Sequence, residues 1–298
     1  MKRAVFVLIF LCALLEGGRA AGQATFSEID TVAAEAPPTR KQLRKTRPHY
    51  LTLGAGLAHA SLRDAGTSPL RYQGALKQTE IGLWRMDERR ERTWSLGILR
   101  GTYGYTAGTQ QYATTQSGLE LMFRYLWGVS HRPGAWNLKV GGEINNATNL
   151  RINPSFLNAA VGFENFLTAF AVGKLEYRFR VPARRGTFFI FPYDKPERKF
   201  LLSYQLHLPV LQTSLRPGYP YLPNAVPEDA TIFDGQTWRT WQGFRMGSRL
   251  SVIRYFSNNA NAVSASYVWD TVTTGKHAVH TVELARHTLL FSLLFRLN

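Results

Sequence analysis

The chain has 298 residues, a formal net charge of +16 and one cysteine, Cys12. A single cysteine excludes an internal disulfide and a multi-thiolate metal site. No stretch after residue 21 contains the 18 or so consecutive apolar residues of a transmembrane helix. The strong positive charge favours an anionic partner, either nucleic acid or lipid head groups.

The first twenty residues have the plan of a secretory signal peptide. Lys2 and Arg3 form a positive n-region, residues 4–15 form an apolar core, and Gly18 and Ala20 permit cleavage after residue 20. Removal of this segment takes away the cysteine and leaves a net charge of about +14. Because an exported protein is not expected to meet nucleic acid, outer-membrane lipid and lipopolysaccharide are the predicted anionic partners.

Residues 21–48 lack hydrophobic periodicity and contain two prolines and a run of basic side chains. This composition predicts a flexible basic periplasmic tail, with a lipid- or partner-docking arm as the alternative.

From residue 49 onward, apolar and polar side chains alternate with a period of two. Over 117–129, the odd positions include Leu121 and Phe123, whereas the even positions include Glu120 and Arg124. Successive side chains of a strand point to opposite faces, so each such segment predicts a strand with one apolar and one charged face. The same alternation recurs over 136–145, 167–181 and 200–210.

This pattern fits a soluble sandwich with apolar faces inside or a membrane barrel with apolar faces outside. Three features favour the barrel. The predicted strands run about 11–16 residues, enough to cross a bilayer when tilted. Short and long connections alternate, as in bacterial barrels whose termini are both periplasmic. Aromatic residues lie near predicted strand ends, as in an interfacial girdle: Tyr50, Trp84, Trp94, Tyr103, Tyr105, Trp127, Trp136, Tyr177, Trp238, Tyr255 and Trp269.

The predicted fold is all-β, a single antiparallel transmembrane β-barrel over residues 49–298 in the bacterial outer membrane. Ten strands are predicted, at 49–62, 72–85, 92–105, 115–129, 135–147, 167–181, 199–213, 237–255, 260–271 and 279–297. The longer connections are 63–71, 106–114, 148–166, 214–236 and 272–278. Residues 182–198 break the pattern and either extend a neighbouring strand or raise the count to twelve. Pro209 lacks a backbone donor and predicts a bulge in the seventh strand.

The last predicted strand ends one residue before the terminus with an apolar face formed by Leu289, Phe291, Leu293, Phe295 and Leu297. This arrangement resembles the C-terminal signal of outer-membrane barrels, which the barrel-assembly machinery reads during insertion. Together with the segments 68–74, 208–209 and 216–219, the chain resembles Bacteroidetes-type outer-membrane β-barrel proteins of uncharacterised function. The resemblance covers most of the mature chain and implies a fold and a location, without a biochemical activity.

Charged side chains opposite the apolar rows are predicted to point into the lumen. They are Glu120, Arg124, Lys139, Glu143, Lys174, Glu176, Arg178, Arg180, Arg239, Arg245 and Arg249, with Glu283 as an additional candidate. A barrel of about ten strands has little free bore, and unpaired buried charges are costly. One interpretation is therefore a salt-bridge network that fills the barrel. The other is a narrow, anion-favouring pathway lined by Arg239, Arg245 and Arg249.

A hydrolase would need a nucleophile within hydrogen-bond reach of a base. Ser203, Gln205 and His207 share one strand face, but alternate residues of a strand lie about 6–7 Å apart, too far for a direct relay. His207 is the one candidate for a catalytic base, and a hydrogen-bonding lumen histidine is the alternative. No phosphate-loop, dinucleotide-binding or H-E-x-x-H motif is present, so no cofactor and no metal are predicted.

Three functions remain open from the sequence. The first is a non-enzymatic outer-membrane barrel that acts as a narrow channel, a structural protein or an envelope-assembly subunit with protein partners. The second is an outer-membrane lipid hydrolase. The third is a secreted closed β-barrel that binds an apolar ligand, which requires the apolar faces to point inward.

Overall fold

The computed structural model describes residues 47–66, 68–107, 110–129, 135–153, 161–189, 191–217, 236–241, 243–256, 261–274 and 281–297. The predicted signal peptide (1–20), most of the predicted tail and the centre of the predicted loop 214–236 lie outside these residues. No helix in the described part of the chain is long and apolar enough to cross a membrane.

The described residues form thirteen strands. They are β1 (His49–Asp64), β2 (Ser68–Met86), β3 (Arg90–Ala107), β4 (Gln110–Gly128), β5 (Trp136–Ile152), β6 (Val161–Val181), β7 (Arg184–Phe188), β8 (Phe191–Lys195), β9 (Arg198–Pro217), β10 (Gln236–Thr240), β11 (Gly243–Tyr255), β12 (Asn261–Thr274) and β13 (Val282–Arg296).

The strands close into an antiparallel barrel of ten wall positions. Neighbours in sequence pair from β1 to β6 and from β11 to β13, β9 lies between β6 and β11, and β13 pairs with β1. Strand β10 pairs with the part of β9 that extends beyond the end of β11. Strands β10 and β11 therefore share one wall position beside β9. Between them, Trp241 has a φ of 61° and its backbone N–H donates to the carbonyl of Gln212. The predicted ten-stranded barrel is confirmed.

Residues 182–198 add no strand to the wall. They contain the separate two-stranded hairpin of β7 and β8, so the alternative of twelve strands is wrong. The apolar run at 187–193 is typical of strands, and it falls at the facing ends of β7 and β8, which pair with each other outside the barrel sheet.

The pairing register fixes the strand tilt. From Leu57 on β1, the directly paired residues of β2 to β5 lead around the wall to Phe163 on β6. In the other direction, the paired residues of β13, β12, β11 and β9 lead to Leu175 on β6, which is twelve residues from Phe163. With strands about 4.8 Å apart and a rise of about 3.3 Å per residue, this offset tilts ten strands by about 40°. The wall strands, at 13 to 21 residues, exceed the roughly 9–11 residues that a tilted strand needs to cross a bilayer.

The bulge predicted at Pro209 is confirmed. Phe170 of β6 pairs with Pro209, whereas the preceding Ala169 pairs with Leu211, which leaves Val210 as an extra residue. The bulge changes which residues of β9 point inward. The inward residues are Ser203, Gln205 and His207 before the bulge, and Gln212, Ser214 and Arg216 after it.

Two predicted long connections are wrong. Strands β1 and β2 pair as far as Asp64 and Ser68, and β3 and β4 pair as far as Ala107 and Gln110. Segments 63–71 and 106–114 therefore consist mostly of paired strand ends, with 65–67 and 108–109 as the residues between the strands. Turn-forming residues in these segments suggested loops, but the backbone pairing continues until only a few residues remain for the turn.

The two ends of the barrel differ. The terminal end contains the start of β1 and the end of β13, and the loop end contains the β1–β2, β3–β4, β5–β6, β9–β10 and β12–β13 connections. Inside the wall, one apolar cluster lies toward each end. The terminal-end cluster includes Tyr50, Trp84 and Ile253, and the loop-end cluster includes Tyr72 and Tyr103. Five of the eleven residues of the predicted aromatic girdle are thus wrongly placed, since Tyr50, Trp84, Tyr103, Tyr105 and Tyr255 occupy inward positions of the alternation.

Candidate functional site: the lumen and the outer wall

The terminal-end part of the lumen holds a network of ion pairs centred on Glu91. This side chain is 2% exposed and accepts from Arg124 at 3.3 Å, Lys139 at 3.4 Å and Lys174 at 2.6 Å. Both lysines also contact Glu176, at 2.9 and 3.0 Å. Strands β3 to β6 lie side by side and supply these five side chains from their inward faces, with two of them, Lys174 and Glu176, coming from β6.

A second cluster bridges the middle of the lumen. Arg245 contacts Glu120 at 2.7 Å and Asp270 at 3.2 Å, and Arg286 contacts the same two carboxylates at 3.2 and 3.3 Å. Glu120 lies on β4, whereas its partners lie on β11 and β13, on the opposite side of the wall order. Asn145 donates to Glu120 and accepts from Arg245. These bonds therefore cross the bore.

A third cluster repeats the same two-by-two arrangement toward the loop end. Arg151 contacts Asp64 and Glu164, each at 2.5 Å, and Arg216 contacts the same two acids at 3.0 and 3.2 Å. The four residues come from β1, β5, β6 and β9, so this cluster also joins separated parts of the wall.

These enclosed ion pairs balance in charge. Eight acidic and eight basic side chains are enclosed, and none is more than 14% exposed. They comprise the three clusters, Glu143, and the pair formed by Arg249 and Glu80. They are Asp64, Glu80, Glu91, Glu120, Glu143, Glu164, Glu176 and Asp270 against Arg124, Lys139, Arg151, Lys174, Arg216, Arg245, Arg249 and Arg286. An excess of lumen arginine, as an anion pathway would require, is absent from this set.

Four predicted lumen residues lie apart from these clusters, three at inward positions near the ends of the bore and one on the outer face. Arg178, 32% exposed, bonds Glu88 at the terminal-end mouth, and Arg180, 72% exposed, contacts Glu197 there. Arg239 lies opposite the inward Ser214 at the loop end, apart from Arg245 and Arg249. Glu283 is on the outer face and contacts Arg63 and Arg71, so its assignment to the lumen is wrong.

Several enclosed residues escaped sequence reasoning, for one shared reason. Asp64, Arg151, Glu164 and Arg216 fell in predicted long connections, and Glu91 fell in the short connection between the predicted strands 72–85 and 92–105. They could have been found by continuing the alternation of inward and outward side chains past the predicted end of each strand. Asp270 and Arg286 already stood at inward positions of predicted strands.

His207 lies inside the lumen. Its Nδ1 is 3.3 Å from Glu143, and its ring packs edge-on against Phe170 at 5.9 Å. The hydrogen bonds of the described residues join no serine or threonine hydroxyl to this histidine. The arrangement supplies a histidine with an acidic partner but no nucleophile beside it.

The outer face of the wall is apolar over a continuous belt. On β2, Lys77 and Arg85 are the nearest outward charges on either side of Ile81, and on β3 the corresponding residues are Arg92 and Arg100. Eight tilted residues span roughly 20 Å along the barrel axis. At both limits, long basic side chains can extend along the barrel axis toward water, so the height of the apolar belt approaches the 25 Å or so of an outer-membrane barrel.

The belt ends on the loop side at nearly one level. Apart from the hydroxyl residues Thr79 on β2 and Ser248 on β11, which lie deeper in the belt, the first polar outward residues lie within about 10 Å of one another along the axis once the tilt is included. They are His59, Lys77, Arg100, Ser117, Asn146, Asn165, Thr213, Thr271 and His287.

Aromatic side chains gather at the other limit of the belt. Trp136 packs on Tyr177 at 4.5 Å, Tyr177 on Phe179 at 5.8 Å, and Phe179 on Phe200 at 5.1 Å between ring centres. Trp127, half exposed, extends this row on β4. Such a row is typical of the membrane–water boundary.

The chain has been compared with known proteins. Neither a protein-family model nor a curated protein sequence matches it. Among solved structures, the transport unit of the autotransporter AIDA-I from Escherichia coli has a TM-score of 0.39 at 8% identity, covering 89% of this chain and 94% of that chain. The translocator domain of the autotransporter NalP from Neisseria meningitidis has a TM-score of 0.35 at 10% identity, covering 86% and 92%. Neisserial surface protein A has a TM-score of 0.31 at 11% identity, covering 83% and 96%. Because these scores lie below 0.5, none carries a function to this chain.

Proposed function

We propose that this protein is a bacterial outer-membrane barrel that serves as a sealed structural or envelope-assembly subunit. The observation that carries the proposal is the division of side chains between the two faces of the wall. Leu121 and Val140 are 49% and 43% exposed outside, whereas Glu120 and Lys139 are enclosed. A water-soluble barrel with an apolar ligand inside would require the reverse, so this division of side chains argues against the secreted ligand-binding alternative.

The proposed orientation places the loop end outside the cell and both termini in the periplasm. Beyond the belt, β1 to β4 continue toward the loop end with outward residues such as Ser61, Gln73, Thr102 and Thr115. These polar hairpin ends suit an aqueous surface. Bacterial barrels carry their longer projections on the extracellular side.

The sealed state is supported by what occupies the lumen. Ion pairs cross the bore at two levels, and apolar clusters pack near both ends. The cavity at the middle cluster has a volume of only about 80 Å³, and it is lined by Glu120, Arg245 and Arg249 among others. A permeant ion would have to displace charges that already neutralise one another, at a large cost in desolvation.

The corresponding prediction concerns ion conductance. Purified protein inserted into a planar bilayer should give no steady current steps above those of the protein-free membrane, because the bore is closed by the paired side chains. A general porin inserted in the same bilayer serves as the positive control, and protease protection shows that the barrel has inserted. Steady, reproducible steps from inserted wild-type barrels would overturn the sealed lumen and favour the channel.

A further inference from the structure

The outer wall is strongly basic. On the outer face of the barrel wall, the described residues include nine lysines or arginines but only one acid, Glu283. The basic residues are Arg63, Arg71, Lys77, Arg85, Arg90, Arg92, Arg100, Arg198 and Arg254. Since the enclosed ion pairs are balanced, this wall carries a substantial part of the chain's positive charge.

Lys77 and Arg100 form one of three facing pairs of like charge within this set, the others being Arg63 with Arg71 and Arg85 with Arg92. Lys77 and Arg100 lie directly opposite each other on β2 and β3, where facing side chains are about 5 Å apart at Cβ. Both are exposed, and neither has an ion-pair partner among the residues that the structure describes. Like charges facing each other on a sheet are destabilising. An anion between them would remove that repulsion.

Three other exposed arginines on this part of the wall are accommodated differently. Arg71 and Arg63 contact Glu283, at 3.0 and 3.9 Å. Arg92 lies 5.7 Å from the ring centre of Trp94 and 5.9 Å from that of Phe123, so it has a cation–π partner. Lys77 and Arg100 have neither kind of contact within the described residues.

An apolar groove lies on the same part of the wall. It has a volume of about 550 Å³ and is lined by Leu51, Ile81, Leu83, Trp94, Leu96, Leu121, Phe123 and Ile144 among others. Ile81 precedes Arg85 and follows Lys77 on one face of β2, and Leu96 lies four residues before Arg100 on the same face of β3. The groove therefore runs along the belt below the two cations.

We infer that Lys77 and Arg100 bind the phosphate of a phosphorylated acyl lipid whose chain lies in this groove. The hydroxyl of Ser117, opposite Arg100, and the imidazole of His59 stand at the same limit of the belt and can add hydrogen bonds to the head group. Around the rest of that limit the outward residues are uncharged, as at Asn146, Thr213 and Thr271. This inference rests on the proposed membrane placement and names the lipid class that the wall recognises.

The test is native mass spectrometry of the full mature barrel released from detergent, with bisphosphorylated lipid A as the probe and phosphatidylcholine as the reference lipid. We expect lipid A to bind preferentially, and Lys77→Gln/Arg100→Gln to weaken that binding about tenfold or more, since charge-assisted hydrogen bonds to two cations are lost. Inorganic phosphate in excess should not displace the lipid, because it lacks an acyl chain for the groove.

The matched control is Arg85→Gln/Arg92→Gln. These two arginines also face each other on β2 and β3, at the terminal-end limit of the belt, so the change in net charge is identical. Equal weakening in both double variants would mean attraction by overall charge and would overturn the site. Displacement by inorganic phosphate would replace it with a plain anion site. A heat-modifiable, protease-protected barrel without lipid A preference would refute this inference alone, whereas a barrel that fails to insert would refute the proposed function as well.

Discussion

Glu91→Gln should lower the free energy of unfolding by about 3–5 kcal/mol, the largest effect expected of any single change inside the barrel. Glu91 is the acceptor for Arg124, Lys139 and Lys174, all of which are at most 2% exposed. Glutamine keeps the shape but removes the negative charge, so three enclosed cations would share only Glu143 and Glu176. Denaturant titration of the barrel in lipid vesicles, followed by tryptophan fluorescence, measures the change.

Glu88→Gln is the control for this experiment. Glu88 also pairs with an arginine, Arg178, but its side chain is 55% exposed at the terminal-end mouth. An exposed ion pair contributes at most about 1 kcal/mol, so this variant should stay close to wild type. Equal losses in the two variants would show that the Glu91 cluster is hydrated and that the bore is open to water at this level.

Ile81→Arg should lower the stability in vesicles by about 2–4 kcal/mol, because it places a charge near the middle of the hydrocarbon layer. Ile81 is 46% exposed on the outer face and lies four residues from both Lys77 and Arg85, the limits of the belt on β2. The same vesicle titration measures the loss. Its magnitude reports on the depth of the residue in the membrane rather than on packing inside the barrel.

Gln73→Arg provides the comparison on the same strand and the same face. Gln73 lies four residues beyond Lys77 toward the loop end and is exposed. Outside the belt, an added arginine should change the stability by less than about 1 kcal/mol. If both substitutions were harmless, Ile81 would be in contact with water and the proposed belt would be misplaced.

The alternation of side chains predicted the wall well, because a period of two is imposed by strand geometry itself. It assigned Leu121 to one face and Glu120 and Arg124 to the other without any knowledge of the neighbours. It also gave the ten wall positions, since each apolar row needs a strand. Pro209 predicted a bulge because the missing N–H must interrupt the ladder on β9.

The ends of the strands could not be predicted in the same way. Asp64 and Ser68 are residues typical of turns, yet they pair with each other at the last step of the β1–β2 hairpin. Pairing depends on a neighbouring strand that is distant in sequence for most of the wall, so local composition underestimates the length. The ion pairs of Arg151 and Arg216 with Asp64 and Glu164 were missed for this reason.

Partner choice inside the lumen was beyond the sequence as well. Arg245 joins Glu120 across the bore, and the two residues are separated by 125 positions in the chain. Which inward charges meet depends on tilt and register, which a single strand does not specify. The sequence thus indicated that charges face inward, and the closed barrel determines that they balance.

The most direct test of the central claim is the depth of a spin label at Ile81. A nitroxide attached to Ile81→Cys, in a chain with Cys12 replaced by serine, is examined in lipid vesicles beside a label at Gln73→Cys. We expect collisions with dissolved oxygen and shielding from an aqueous nickel chelate at residue 81, with the opposite behaviour at residue 73. Equal relaxation of both labels by the nickel chelate would contradict an outward apolar belt in contact with lipid.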